Sequence, residues 1–281
     1  MKTIENQVFE GERACFKNRG VSFEHCIFRD GESPLKESAD LALTHCEFLW
    51  KYPLWYGKNL TLNHCHWGPM ARAGVWYSQD IEIKDSLIEG PKNFRRAENI
   101  SLSNVKIPAG DEAFWDCENI TLENVEIKGN YVGMNSRRIN LKNVKIDGDY
   151  PFDGAEDIYA EDCVFLSKDS FWNAKKVTLV RCNIVGEYFS WNSQNINLLD
   201  CSISSHQGFC YIEHLTLKNC DLSGTDLSFE YCKDIDADIS DAPRSIKNPL
   251  SGKINIRGKC ELILDPKEVN KKQIEVLFHE N

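Results

Sequence analysis

Two apolar residues spaced two apart, then a small residue, then another apolar one: this pattern returns every 19 to 21 residues along the chain. Ile196-Asn-Leu-Leu-Asp-Cys-Ser-Ile203 is a clear copy, preceded by Val177–Ile184 and followed by Leu215–Leu222. With the first apolar residue as position zero, the column reads Val21, Leu41, Leu60, Ile81, Ile100, Ile120, Ile139, Ile158, Val177, Ile196, Leu215, Ile235 and Ile254. Two residues on stand Phe23, Leu43, Leu62, Ile83, Leu102, Leu122, Leu141, Ala160, Leu179, Leu198, Leu217, Ala237 and Ile256. Alternation of period two marks a strand with one buried face. A fixed period near twenty marks a repeat architecture.

The remaining columns close each repeat into a coil. Position +5 holds a small residue, mostly Cys (Cys26, Cys46, Cys65, Cys163, Cys182, Cys201, Cys220) but also Ser86, Val105, Val125 and Val144. Free exchange with Val and Ser selects a small interior side chain rather than thiol chemistry. Position −6 is bulky (Leu35, Leu54, Phe94, Phe114, Phe171, Phe209), and −3 is small (Ser38, Gly57, Ala97, Ser136, Ala174, Cys232). A bulky stack beside a small one fills a narrow interior evenly. Three strand-like segments per repeat, with no helical period, predict an all-β, single-stranded parallel β-helix of about 12–13 coils stacked at about 4.8 Å. A leucine-rich repeat is excluded because its helical half is missing. Asn or Asp before each strand (Asp40, Asn59, Asp80, Asn99, Asn119, Asn195) predicts an amide ladder at that corner. The expected division is a cap or irregular first coil over 1–20, the β-helix over 21–264 with a loop insertion at 241–252, and a capping tail over 265–281.

Several segments resemble the pectate-lyase-like β-helix superfamily, and within it an uncharacterised bacterial family with no assigned activity. They are Gly31–Ser38, Tyr52-Pro-Leu-Trp-Tyr56, Met70-Ala-Arg-Ala-Gly-Val-Trp-Tyr77, Lys92-Asn-Phe-Arg-Arg96, Ser167–Asn173 and Tyr188-Phe-Ser-Trp-Asn192. The resemblance covers most of the chain and implies a right-handed parallel β-helix. It points to a superfamily rich in polysaccharide-active proteins, and it brings no catalytic assignment, since fold alone does not specify chemistry.

Composition narrows the function. The chain is 42% hydrophobic and 27% charged, enough to bury a core. A formal charge of −10 argues against nucleic acid or an anionic membrane surface as partner, because both require a basic face. Met1–Asn6 does not resemble a signal peptide and no stretch approaches a membrane span, so the expected location is the cytoplasm. The twelve cysteines are then expected to be free thiols.

Function is sought where the repeat departs from its structural needs. Position −5 reads Lys36, Trp55, Trp76, Arg95, Trp115, Met134, Asp153, Trp172, Trp191, Cys210 and Glu230. Position −4 reads Glu37, Tyr56, Tyr77, Arg96, Asp116, Asn135, Gly154, Asn173, Asn192, Tyr211 and Tyr231. Their neighbours face inward, so at least one of the two columns should face out as an aromatic strip. Flat rings with polar neighbours suit sugars, which present an apolar face and a rim of hydroxyls. The expected ligand residues are Lys36, Trp55, Tyr56, Arg72, Trp76, Tyr77, Lys92, Trp115, Trp172, Trp191 and Tyr211, and the expected partner is an oligosaccharide or polysaccharide. The competing readings are packing of the tryptophans under neighbouring turns, or an interface, including one with a second copy of the chain. For turnover, Arg95 and Arg96 could take a proton beside a uronate, as in a lyase. Carboxylates such as Asp116, Asp153 and Asp169 could flank a glycosidic bond, as in a hydrolase. No tight Asp-Asp motif accompanies them, and binding without turnover is the reading preferred. No cofactor is called for. His25, His45 and His64 share a column and could hold a divalent cation, but that column otherwise carries Asn and Asp, so a polar corner that accepts His is the simpler account.

Overall fold

A computed structural model describes residues 2–280. It contains strands and turns, and among those residues no helix, arranged as a right-handed parallel β-solenoid of about 15 turns. The Cα positions group into two compact units, Met1–Asn140 and Leu141–Asn281.

In the first unit the strands pair in parallel at the register the apolar columns require. Leu41 lies opposite Val21 and Leu60, and Ile100 lies opposite Ile81 and Ile120. Within residues 1–20, where a cap or irregular first coil is expected, Lys2–Glu5 pairs with Val21–Glu24 and places Lys2 in the apolar column. The core is the stack of inward columns. Phe23, Leu43, Leu62, Ile83, Leu102 and Leu122 are buried, and so is the row Phe28, Phe48, Trp67, whose rings lie 4.9–5.1 Å apart. Phe94 and Phe114 stack at 4.7 Å.

The second unit repeats this plan, with Val177 between Ile158 and Ile196 and Leu215 between Ile196 and Ile235. Its bulky row runs Phe152, Phe171, Phe189, Phe209, Phe229, with neighbouring centroids 5.3–5.9 Å apart. Phe189 lies one position off the expected column, where Ser190 stands, yet its ring fills the slot. Near the end the register departs from the spacing. Ile254 lies opposite Ala237 rather than Ile235, which faces Gly252. The coil between them is shorter than the repeat, and the approach is so close that a Cβ on Gly252 would fall 2.1 Å from the Ile235 carbonyl oxygen. Within residues 241–252 a short strand, Ser245–Lys247, pairs with Glu261–Ile263. Within residues 265–281, Ile274–His279 pairs with Gly252–Arg257 as a further rung.

The polar columns are set by the backbone. Residues at −4, −1 and +4 take positive φ turn after turn: Tyr56, Tyr77 and Asn135; Asp80, Asn99 and Asn119; His45, Asn104 and Asn124. Asn and Asp tolerate this left-handed region better than other side chains, which explains their frequency there. Stacking adds the ladder: the Asn99 amide donates to Asp80 at 2.7 Å, and that of Asn119 donates to Asn99 at 2.8 Å. The small columns have a polar task as well. The Ser78 hydroxyl donates to the carbonyls of Leu54 and Trp76, and the Cys182 thiol to those of Ala160 and Val180. Cys and Ser interchange because both are small donors that satisfy corner carbonyls.

Candidate functional site: an aromatic row and a recess

Positive φ at −4 turns the chain sharply, so the side chains at −5 and −4 both reach the surface. Trp55, Trp76, Arg95, Trp115, Trp172 and Trp191 are half-buried, and Tyr56 and Tyr211 are 47% and 46% exposed. Cys210 and Glu230 are the buried members of the −5 column.

In the first unit the row is a pile of parallel rings. Trp55 and Trp76 stack with centroids 5.2 Å apart and planes within 6°, and Tyr56 and Tyr77 stack at 5.0 Å. The Arg95 guanidinium continues the pile, 4.7 Å from the Trp76 ring and 4.6 Å from that of Trp115. The indole N–H groups are satisfied: Trp55 donates to the Ala73 carbonyl at 2.6 Å and Trp76 to that of Lys92 at 2.7 Å. The Lys36 ammonium sits over the Tyr56 ring at 5.5 Å. Glu112, a residue the repeat did not single out, accepts from both Arg95 (2.7 Å) and Lys92 (2.9 Å). Its partial burial raises the carboxyl pKa, but the two cations outweigh this and hold it below the ordinary value. Arg96 and Asp116 pair at 3.6 Å, and Arg72 is exposed. Rings stacked at this spacing cover each other's faces, so a sugar has ring edges rather than faces to meet along this pile.

In the second unit the row runs Tyr150, Trp172, Trp191, Tyr211, Tyr231, with neighbouring centroids 5.2–6.1 Å apart. Beside it, amides form a second ladder, Asn192 to Asn173 at 2.8 Å and Asn173 to Asp153 at 3.0 Å. Asp153 is thus an acceptor in the ladder. Asp169 is 6% exposed, and burial pushes its carboxyl above the usual range although Lys168 and Tyr150 oppose the shift. Lys168 pairs with Glu187 at 2.9 Å, and its backbone N–H donates to Asp149.

The aromatic row ends at Tyr231, and there the surface opens into a recess of about 520 Å³ lined by Asn192, Tyr211, Glu213, Tyr231, Lys233, Leu250 and Glu268. Tyr211 was expected among the ligand residues and Tyr231 belongs to the same column, so this wall could be read from the repeat. Leu250 and Glu268 lie in segments that break the repeat, and only folding brings them against it. Lys233 pairs with Glu213 at 3.1 Å, while Glu230 behind Tyr231 is held by Lys247 at 2.7 Å.

His25, His45 and His64 do stack, with ring centroids 4.9 Å apart, at a positive-φ corner. Among the described residues no group of three or more His, Cys, Asp or Glu side chains is placed to hold a metal ion. Among the described residues no helix is long and apolar enough to cross a membrane.

A model of a family described as proteins of unknown function, DUF3737, matches residues 2–277. The chain belongs to that family. No curated protein matches the sequence. Among solved structures it is similar to the A-module of the mannuronan C-5 epimerase AlgE4 of Azotobacter vinelandii, at 11% identity and a TM-score of 0.37, over 99% of this chain and 88% of that one. It is also similar to HetL, a pentapeptide-repeat protein of the cyanobacterium Nostoc, at 10% identity and a TM-score of 0.25, over 90% and 88% of the two chains. QnrB1, a plasmid-mediated fluoroquinolone resistance protein, matches at 12% identity and a TM-score of 0.18, over 98% and 90%. At these scores the likenesses bear on no functional residue.

Proposed function

We propose that the protein binds carbohydrate, without turning it over, in the recess at the end of the second unit's aromatic row. The observation that carries this reading is the lining itself: two tyrosine rings beside an amide, a lysine and two carboxylates, in an open space of about 520 Å³. Small-ligand sites combine apolar walls with a few fixed polar groups in this way, at volumes of about 300–1,000 Å³. Binding is preferred over catalysis because the acids and bases that the sequence offers for turnover already have partners. Arg95 is clasped by Glu112, Arg96 faces Asp116, and Asp153 accepts from Asn173.

The first unit's row, with its ring faces mutually covered, serves packing in this reading. Intrinsic fluorescence titrated with neutral, acidic and amino oligosaccharides tests it, since Trp191 lies 6.0 Å from Tyr211. A saturable change is expected that Tyr211→Ala and Tyr231→Ala abolish and Trp76→Ala leaves intact. Loss in Trp76→Ala alone would move the site to the first unit. No response to any saccharide, with a mass that rises with concentration in light scattering, would favour the alternative of a row used for self-assembly.

A further inference from the structure

The recess has an uneven charge. Its lining carries two carboxylates, Glu213 and Glu268, and one ammonium, Lys233, which is already committed to Glu213 at 3.1 Å. Among the described residues the Glu268 carboxylate has neither an ion pair nor a hydrogen bond. Behind the wall, the Glu230 carboxylate is fully engaged, by Lys247 on one oxygen and by the Gln207 amide on the other. The Tyr211 hydroxyl feels the same sign of field: partial burial, and then the Glu230 carboxylate, hold its pKa above the ordinary phenol value, and like any neutral phenol it can donate to a ligand. An acidic sugar entering this space would meet an uncompensated carboxylate and find its cation taken. A cationic sugar would meet a free carboxylate and, where the row ends, the electron-rich Tyr231 ring, both of which attract an ammonium group; Tyr211, stacked between Trp191 and Tyr231, offers its hydroxyl.

We infer that the recess selects an amino sugar, whose ammonium group pairs with Glu268 beside the Tyr211 and Tyr231 rings while its hydroxyls are met by Asn192 and the Glu213–Lys233 pair. This rests on the carbohydrate reading above and narrows its ligand class.

The test compares three oligosaccharides of equal length by isothermal titration, in mildly acidic buffer that keeps the amine charged: β-linked glucosamine, its N-acetylated form and a galacturonate. A half-exposed ion pair and a cation–π contact together predict about three- to tenfold tighter binding of the glucosamine oligomer than of the N-acetylated one. Glu268→Gln should remove the ion-pair share of this preference and leave only the part that the ring contributes, so the ratio of the two affinities falls, and added salt should narrow the parent chain's ratio in the same direction. Equal affinity for the charged and acetylated forms, or a preference for galacturonate, would overturn the inference and leave the carbohydrate reading standing. Failure of all three to bind would remove both. Glu268 lies in a surface turn, so circular dichroism of Glu268→Gln should match the parent chain.

Discussion

Replacing Arg95 by alanine asks whether the first unit's aromatic row is held together by its own stacking. The guanidinium lies between two indoles, at 4.7 and 4.6 Å, and one of its nitrogens donates to Glu112 at 2.7 Å. Each cation–π contact at a half-exposed site contributes about 0.5–1 kcal/mol. The Glu112 pair, about a quarter exposed on each side, adds about 0.2–1 kcal/mol. Against this stands the Arg95 Nε, which is buried with no hydrogen-bond partner. An orphaned polar group can cost about 1–3 kcal/mol, enough to cancel the gain. We expect stacking to win because a guanidinium is weakly hydrated and its planar face suits the slot between two rings. Arg95→Ala should therefore destabilise the first unit by about 1–2 kcal/mol. Arg95→Lys, which keeps the charge and loses the plane, should recover less than half of that. Urea unfolding followed by tryptophan fluorescence gives the shift in midpoint at constant slope. A double-mutant cycle with Trp76→Ala isolates the contact, with an expected coupling of about 0.5–1 kcal/mol. The pH dependence has a definite sign. Glu112 titrates below the usual Glu value of 4.5, so its contribution is present above that pH and is lost as the pH falls below it. The wild-type advantage over Arg95→Ala should shrink in acid. An Arg95→Ala variant as stable as the parent would show that the orphaned Nε cancels the stacking, and absence of coupling to Trp76 would refute the stacking contact itself.

Two further outcomes follow from the columns. Eleven of the twelve cysteines are buried, which shields them from reagents; Cys201, for example, is raised to about 12, first by its hydrogen bond with Cys182 and also by burial, whereas the hydrogen bonds with Cys46 and Cys182 lower Cys65 and Cys163. Under native conditions a thiol reagent should modify Cys260 alone, and rapid modification of several thiols would contradict the inward packing of the Cys column. Asn99, at φ 56°, donates to Asp80 and accepts from Asn119. Asn99→Val should cost more stability than Asn99→Gly, by about 1 kcal/mol or more in thermal or urea unfolding, because both lose the ladder and only glycine is free of the left-handed penalty; the reverse order would show that φ does not set the cost at this corner.

The limits of legibility follow from what each column reports. Val21, Leu41 and Leu60 could be aligned by eye because parallel stacking puts equivalent residues in contact, and contact demands like with like. The register of the first coil is not legible for the same reason in reverse, since Lys2 stands where the pattern calls for an apolar residue. Ile254 misled the register because spacing alone cannot show that a short coil re-enters two positions early, at Gly252. The Asn and Asp before each strand predict a ladder and the His column a polar corner, and the left-handed backbone beneath both emerges only with φ.

For the site, sequence order alone placed Trp55, Trp76, Tyr211 and Tyr231 in rows, because a solenoid converts a period in sequence into a line in space. It could not say how the rings meet: Trp55 and Trp76 lie within 6° of parallel and Trp191 and Tyr211 within 13°, while Tyr231, the last ring of the second row, is tilted 35° from Tyr211. Nor could it bring Leu250 and Glu268 to the end of the second row, since they lie outside the repeat and no period links them to it. The one-dimensional pattern determined the coil, its core and the line of the aromatic row. The tertiary structure decided which part of that line is a packed pile and which part opens into a recess.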